Sequence, residues 1–455
     1  MDNSILVIDD EHDFLDSVRR GLITSGIRNV RTEEDPRKAA AAFEDGEEFD
    51  IALIDITMPE MDGVELLEII RSSSPNTECI MVTAVDEARV AIDCLRKGAY
   101  DYLVKPISKE HLVSTISRAL ERRRLIEILD LRKRKTLPRL SNEEAFRPIV
   151  TRTAEMARIL KEAELHAASD IPILITGETG TGKELLAKAI HAASLRSAKT
   201  FTPVNMESLN LQLFESQFFG HIKGAFTGAA GDRAGYLETT HRGTLFLDEI
   251  GNLPFELQGK LLRVLQDGEF IKIGTSAPRK VDIRFIAATN SDLERMMAQN
   301  RFRKDLYYRL KGGWLNLPPL RERRQDIPLL MERFLKEYGG LQGTSIEEDA
   351  MFLLMNYDYP GNIRELKSIV HSVVNIAQGR PIASKYLPEN LRKKMPKSKA
   401  TDPSTADAIP SLEQIEKNHI LSVYEKTGRN KSQTARILGI GLNTLRRKME
   451  SYGVN

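Results

Sequence analysis

Residues 173–191 read ILITGETGTGKELLAKAIH, and this stretch decides the fold of the middle of the chain. Ile173–Thr176 is a short apolar run of strand character, and ELLAKAIH has helical spacing. Between them lies GxxxxGK. Glycines in such a turn let backbone N–H groups converge on an anion, and the helix N-terminus adds positive potential. A strand before and a helix after are the context in which GxxxxGK cradles nucleotide phosphates. Gly177, Glu178, Thr179, Gly180, Thr181, Gly182 and Lys183 would line them, with Lys183 reaching the β- and γ-phosphates. Glu184 stands where a hydroxyl usually binds Mg²⁺, which leaves metal coordination at that position open.

Working outward, 243–249 reads GTLFLDE, a buried strand ending in two acids. Asp248 is placed to hold Mg²⁺ and Glu249 to polarise an attacking water. A further strand, 283–288, ends in Thr289 and Asn290, polar tips suited to sensing a γ-phosphate. RFRKDLYYRL (301–310) sets Arg303 and Arg309 near a helix. An arginine donated by a neighbouring subunit can raise phosphoryl-transfer rates by roughly 10³–10⁵, and that role requires an oligomer. PGNIRE (360–365) starts a helix of an all-helical tail, from which Arg364 could contact nucleotide. The loop Gly224, Ala225, Phe226, Thr227, Gly228, Ala229 carries one aromatic among small residues. Phe226 is either an exposed apolar contact or tucked into a tight turn.

These segments together resemble a known family. Residues 145–385 are similar to the AAA+ domain of bacterial enhancer-binding proteins, the NtrC-type activators of sigma-54 RNA polymerase. The matches are GETGTGKE, FGHIKGAFTGA, GTLFLDEIG, LQGKLLRVLQDGEF, AATN, FRKDLYYRL, LPPLRERRQDI and PGNIREL. The resemblance implies ATP hydrolysis with Mg²⁺, and glutamate at 184 is ordinary within it. It implies that 224–229 engages sigma-54 and that Asn205 holds Glu249 until the γ-phosphate is read. It makes Arg303 and Arg309 arginines acting in trans. Phe218-Phe219-Gly220 and Asn205-Met206-Glu207-Ser208 depart mildly from the usual Leu-Phe-Gly and Asn-Cys-Ala-Ala.

Upstream, four apolar runs end in polar residues: 4–8 in Asp9 and Asp10, 51–54 in Asp55, 80–82 in Thr83, and 102–104 in Lys105-Pro106. Alternation with helical patterns implies a doubly wound parallel sheet, whose functional groups collect at the carboxyl ends of its strands. Three carboxylates converging there call for a hard cation, and Mg²⁺ fits. Lys105 and Thr83 add donors for an anion. The set suits phosphoryl transfer onto Asp55; the competing reading is that Asp9 and Asp10 cap a helix. Residues 1–122 resemble a response-regulator receiver domain. That implies phosphorylation of Asp55 by a histidine kinase, coupled movement of Thr83 and Tyr102, and a cis Lys105-Pro106 bond.

At the other end, SLEQIEKNHILSVYEK (411–426), SQTARILG (432–439) and LNTLRRKMESY (442–452) read as three helices, with Ile440-Gly441 as a turn. Two short helices joined by a Gly-containing turn, the second basic, form a helix-turn-helix. Asn443, Thr444 and Arg447 are candidates for base edges, and Arg446 and Lys448 for phosphates. The segment resembles the Fis-type module of enhancer-binding proteins, which implies binding to upstream activator DNA as a dimer.

The whole chain of 455 residues suits about three domains at ~150 residues each. Its formal charge of +1 argues against a general nucleic-acid coater. That charge divides unevenly: residues 1–122 carry −12 (26 acids, 14 bases), 123–409 carry +9, and 410–455 carry +4 (8 bases, 4 acids). Cys79 and Cys94 form no disulfide framework or metal pattern and read as buried thiols in a reducing compartment. The acidic MDNSILVIDDEHD is unlike a signal peptide, and no apolar run approaches the ~20 residues of a membrane span. A cytoplasmic protein without membrane contact is expected.

The expected organisation is multidomain α/β plus all-α. It comprises a flavodoxin-like receiver at 1–122, a linker helix at 123–143, an AAA+ P-loop domain at 144–385 with a helical lid from about 320, a flexible tether at 386–409, and a three-helix module at 410–455. In 116–136, Ile116, Leu120, Ile126/Leu129 and Leu131 form an apolar stripe on a solvated helix or a short dimer coiled coil. The basic runs 122–124 and 132–135 read as solvated faces. The implied function is an activator that, on Asp55 phosphorylation, converts from a homodimer to an ATP-hydrolysing ring, hexameric by resemblance. A DNA-binding repressor with a vestigial ATPase conflicts with the intact Lys183, Asp248 and Glu249. A remodelling chaperone leaves the helix-turn-helix unexplained.

Overall fold

The computed structural model describes residues 3–84, 88–131, 137–207, 211–226, 229–339, 345–392 and 412–452. The chain divides into two compact units, Met1–Arg392 and Lys393–Asn455. The expected tether falls largely within 393–411, and the basic run 132–135 and the loop positions Thr227 and Gly228 also lie outside the described residues.

The first part of the larger unit is a parallel sheet of β1 (Ile5–Ile8), β2 (Val30–Glu33), β3 (Ile51–Asp55), β4 (Glu78–Thr83) and β5 (Asp101–Val104), in the order β2-β1-β3-β4-β5. Helices α1 (His12–Thr24), α2 (Pro36–Glu44), α3 (Gly63–Ser73), α4 (Ala88–Arg96) and α5 (Lys109–Leu131) alternate with the strands. β1, β3 and β4 are buried throughout, as sheets covered on both faces require. The sequence reading lacked β2, because VRTE has a single buried residue, Val30. Strand order reverses between β1 and β3, whose paired ends (Ile8 opposite Ile54) deliver Asp9 and Asp55 to the switch point.

Helix α5 corrects two expectations. Its buried positions near the end are Ile128 and Leu131, which pack on Leu165, while Ile126 and Leu129 are exposed. The run 122–124 is a solvated face only in part, since Arg122 is exposed while Arg123 is half-buried and Arg124 buried. Arg122 pairs with Glu78 at 2.7 Å, Arg123 with Asp50 at 3.0 Å, and Arg124 is buried against Ser169 and Glu121. Arg123 and Arg124 serve the packing of α5, and Arg122 makes its pair from an exposed position.

A second parallel sheet follows, built of β6 (Ile173–Thr176), β7 (Phe201–Asn205), β8 (Thr244–Asp248), β11 (Arg284–Thr289) and β12 (Gly313–Asn316), in the order β12-β6-β11-β8-β7. A short antiparallel ribbon, β9 (Glu269–Ile271) with β10 (Pro278–Lys280), lies outside it. The helices are α6 (Glu143–Phe146), α7 (Ala154–Ala167), α8 (Lys183–Ala192), α9 (Leu211–Phe219), α10 (Tyr236–Thr239), α11 (Phe255–Asp267), α12 (Leu293–Ala298) and α13 (Lys304–Leu310). One core packs α11 and α13 against Leu245, Leu247 and Ala287; another packs α7 and α8 against Ile173, Phe246 and Ile286. The carboxyl ends of β6, β8 and β11 are therefore neighbours, as the Thr289–Thr176 register shows.

The lid comprises α14 (Ile327–Gly339), α15 (Glu348–Asn356), α16 (Asn362–Ala377) and α17 (Glu389–Arg392), around Leu320, Ile327, Leu354, Leu366 and Val370. The smaller unit holds α18 (Leu412–Lys426), α19 (Lys431–Leu438) and α20 (Leu442–Ser451) on a core of Ile420, Tyr424, Ala435, Leu445 and Met449. Asn430 caps α19 by accepting from the Gln433 N–H, and Gly439 (φ +66°) ends it in the left-handed region. Among the described residues, no helix is long and apolar enough to cross a membrane.

Candidate functional site

The first site sits at the ends of β1, β3, β4 and β5. Ligand-capable oxygens of Asp9, Asp10 and Asp55 lie within 4.8 Å of one another. Asp9 is fully buried, Asp55 nearly so, and Asp10 is exposed. Lys105 Nζ lies 2.8 Å from Asp9 Oδ2 and 3.5 Å from Asp55 Oδ2. The bond from Lys105 to Pro106 is cis. Burial, then the Asp9 charge, pushes the Asp55 carboxyl up to about 6, against the pull of Lys105. Burial also raises Asp9. The single nearby ammonium leaves three carboxylates under-neutralised. A hard divalent cation with oxygen ligands fits this donor set, and Asp9, Asp10 and Asp55 would hold it. Asp9 Oδ1 also accepts from the Glu11 N–H at 2.9 Å, which is a local turn before α1 and not a helix cap, since Glu11 is the N-cap and carries no side-chain cap bond.

Thr83 is buried at the end of β4, and Tyr102 is half-buried on β5 opposite Met81, packed against the core formed by Ile54, Met81 and Cys94. Thr83 and Tyr102 thus occupy adjacent strands.

The second site sits around the turn 177–183. Gly177, Gly180 and Gly182 all take positive φ, and Gly182 is the N-cap of α8. Lys183 Nζ donates to the Gly177 carbonyl at 2.9 Å and the Glu178 carbonyl at 3.3 Å, and lies 3.3 Å from Glu249 Oε1. Glu249 Oε2 accepts from the Asn290 N–H at 2.9 Å. Asn290 Nδ2 donates to Thr179 Oγ1 at 2.8 Å, and the Thr289 hydroxyl accepts from the Ser291 N–H. The chain thus brings Thr179, Lys183, Glu249 and Asn290 to one point. Glu249 has φ +54°, a left-handed backbone that costs a non-glycine residue free energy. Burial, then Glu249, raises the Asp248 carboxyl, so a cation would be welcome there too. Asn205 pairs with Asp248 across β7 and β8, and its Oδ1 accepts from the Glu207 N–H. Glu184 is exposed and pairs with Lys188, which points it away from a metal role.

The lid closes directly on this turn through residues that sequence reasoning passed over. Arg321 forks onto Glu178, with N–O distances of 2.7 and 2.8 Å. Asn362 donates to Glu178 Oε2 and to the Thr179 carbonyl. These contacts, Arg321 first, hold Glu178 below the usual carboxylate range. Buried Arg323 donates to the Thr181 carbonyl at 2.7 Å, and the Ile363 N–H donates to the Gly180 carbonyl at 2.9 Å. The arginine density of LPPLRERRQDI was the available signal. Arg364 is exposed beside Gly180, where a glycine is required: a Cβ would lie 2.3 Å from the Gly361 carbonyl oxygen.

Arg303 and Arg309 are not in this cluster. Arg303 pairs with Asp305 at 2.7 Å, and Arg309 donates to the Leu265 carbonyl of α11 at 3.2–3.3 Å. Phe226 is 45% exposed, which decides between the two readings of its loop in favour of presentation. Gly224, Ala225 and Ala229 form the base of that loop: the Gly224 N–H donates to Ala229, and the Ala229 N–H to Phe226.

On α20, Asn443, Thr444, Arg446 and Arg447 are exposed. Lys448 is committed elsewhere, with its Nζ 2.6 Å from Glu416. This partly exposed ion pair would have to open, or be shared, for Lys448 to meet a phosphate.

Comparison with known proteins agrees with this architecture. Family models match a response regulator receiver domain over 5–117, a sigma-54 interaction domain over 149–316, an AAA+ ATPase lid domain over 321–404 and a bacterial regulatory protein of the Fis family over 411–452. The regulatory protein AtoC of Escherichia coli is 40% identical over 464 residues, covering 100% of this chain and 98% of AtoC. NtrC of Proteus hauseri is 34% identical, covering 99% and 98%. The crystal structure of NtrX from Brucella abortus in complex with ADP has 32% identity and a TM-score of 0.52, with full coverage of both chains. With a receiver sheet, a P-loop sheet under a helical lid and a terminal helix-turn-helix all in place, the chain belongs to the NtrC family of sigma-54-dependent response regulators.

Proposed function

We propose that phosphorylation of Asp55 by a partner histidine kinase converts this protein from a homodimer into an ATP-hydrolysing ring, a hexamer by resemblance. In that state it binds upstream DNA through α20 and remodels promoter-bound sigma-54 RNA polymerase. The observation that carries the reading is the Glu249 carboxylate, held between Lys183 and the Asn290 N–H at the phosphate end of the turn. That position suits a base that polarises water beside a γ-phosphate. ATP would lie along 177–183 under Arg364, and the crystal complexes of NtrX with ADP and ATP support nucleotide binding by this architecture. Mg²⁺ held by Asp248 would offset phosphate charge, and Mg²⁺ held by Asp9, Asp10 and Asp55 would do so at the receiver.

Within the receiver, Lys105 and Thr83 orient the incoming phosphoryl oxygens while Asp55 attacks, and Tyr102 follows Thr83. Arg303 and Arg309, held on α13 away from the P-loop of their own chain, would complete the site of a neighbour. The loop 224–229, with Thr227 and Gly228 beside Phe226, would press on sigma-54. The test measures ATP turnover and apparent mass of the full chain, with and without an aspartyl-phosphate mimic. Turnover that rises with assembly and is lost in Glu249→Gln supports the reading. A chain that neither hydrolyses ATP nor assembles in any state refutes it.

A further inference from the structure

The aromatic presented at 226 rests on a buried histidine that the proposed mechanism does not use. His221 is 8% exposed and Ser216 is 3% exposed, both within the body of the ATPase domain. His221 Nδ1 and Ser216 Oγ share a hydrogen bond of 2.7 Å, which ties the ring to α9. The same ring meets Phe226 edge to face, with centroids 5.0 Å apart and planes at 66°. Its backbone is fixed twice: the His221 N–H donates to the Arg233 carbonyl, and the Arg233 N–H returns to His221. The flanking residues are pinned to a third segment, since the Ile222 N–H donates to Ile273 and the Ile273 N–H to Gly220. Gly274 is packed so closely under Ala225 that a Cβ would lie 2.8 Å from it.

We infer that His221 is a positioning residue that transmits displacement of α9 to Phe226, through the Ser216–His221 hydrogen bond and the His221–Phe226 ring contact. The backbone anchors hold the base of the loop in place, so a displacement of α9 would reach Phe226 through the imidazole side chain. Among the described residues, His221 supplies the aromatic contact to this exposed ring. The edge-to-face contact aims it, because such pairs have a preferred geometry that a greasy surface lacks. The hydroxyl on the other side of the imidazole sets the ring's own orientation. Helix α9 follows β7, whose last residue, Asn205, lies beside Asp248 in the nucleotide-bearing sheet. The path Ser216–His221–Phe226 therefore starts one element away from the nucleotide site and ends at the loop tip.

This inference rests on the proposed role of the loop in engaging sigma-54. Its test uses the full chain with sigma-54 RNA polymerase, promoter DNA and ATP, and reads open promoter complexes formed per ATP hydrolysed. Ser216→Ala and His221→Phe should leave kcat and KM for ATP within about twofold while lowering that ratio by roughly tenfold or more, as misplacement of a working group does. Ser216→Thr, which keeps the hydroxyl, should restore most of the coupling. Coupling unchanged in both variants, or ATP turnover and coupling lost in parallel, overturns the positioning role. Phe226→Ala in the same assay separates the underlying reading: normal coupling there means that the loop does not engage sigma-54 through this ring.

Discussion

Replacing Asp55 with asparagine should stabilise the metal-free receiver at neutral pH. Asp55 is 6% exposed, and its carboxyl is pushed from 3.8 to about 6 by burial and by Asp9. A carboxyl with a higher pKa folded than unfolded contributes its stabilisation fully below 3.8 and loses it as pH rises through about 6. Above pH 7 the ionised group therefore costs the fold roughly 3 kcal/mol, at 1.36 kcal/mol for each pKa unit. Asparagine keeps the shape and removes the charge, but gives up the attraction of Lys105, so a net gain of about 2 kcal/mol is expected. For a domain of this size that raises the receiver's unfolding midpoint by on the order of 10 °C. The assay is calorimetry of the full chain in EDTA, with hydrogen exchange assigning the transition to the receiver strands. The gain should be present at pH 7.5 and shrink to a small remainder near pH 4, where folded wild-type Asp55 is protonated and the unfolded carboxyl, at 3.8, is close to half-ionised. Millimolar Mg²⁺ should narrow it by stabilising the wild type alone. An equal gain at pH 4 and pH 7.5 would show that packing, not charge, sets the difference.

Three further outcomes follow from the geometry. Glu249→Gln should keep nucleotide binding but lower kcat by roughly 10²–10⁴, the range for loss of a general base; an unchanged single-turnover rate would remove Glu249 from the chemistry. Gly180→Ala forces a Cβ to 2.3 Å from the Gly361 carbonyl oxygen at φ +80°, so it should open the lid and weaken ATP affinity by an order of magnitude or more. Equilibrium binding of a fluorescent nucleotide, with KM unaltered, would contradict that. Arg446→Ala should reduce the salt dependence of DNA binding by about one unit of slope, whereas Lys448→Ala should change it far less if Glu416 keeps Lys448 paired on DNA. Equal slopes for the two variants would mean that the pair with Glu416 opens on DNA.

The sequence exposed its chemistry most clearly where a strand end carried it. Asp9, Asp55, Lys183, Asp248 and Asn290 all follow short apolar runs, and parallel topology left those ends nowhere to go but together. What stayed hidden was long-range pairing between polar residues. Arg321 and Asn362 meet Glu178 across more than 140 positions, and no local pattern encodes such a partner. Arg124 looked solvated because its neighbours in sequence are charged; its burial depends on Ser169 of another element. The pairing of Lys448 with Glu416 of α18 was hidden for the same reason. Strand β2 was invisible because an edge strand with one buried residue has almost no apolar signal.

The two phosphoryl sites share an arrangement that neither motif alone conveys. In each, the lysine expected to meet phosphate already faces a carboxylate: Lys105 lies 3.5 Å from Asp55 and 2.8 Å from Asp9, and Lys183 lies 3.3 Å from Glu249. An unpaired ammonium buried at either place would be costly, so the carboxylate stabilises the site before phosphate arrives. An arriving phosphate is the stronger partner, carrying more charge and more acceptor oxygens. It would draw the lysine away and leave a carboxylate less engaged than before. At the receiver, that exchange would move Lys105 toward the phosphoryl group and relax its hold on Asp9. At the ATPase, it would free one oxygen of Glu249 while the Asn290 N–H held the other. A carboxylate released from an ammonium is a better base, so γ-phosphate binding would itself prepare Glu249 to polarise water. The left-handed backbone of Glu249 belongs to the strand end and not to the ion pair, so it would persist through that change.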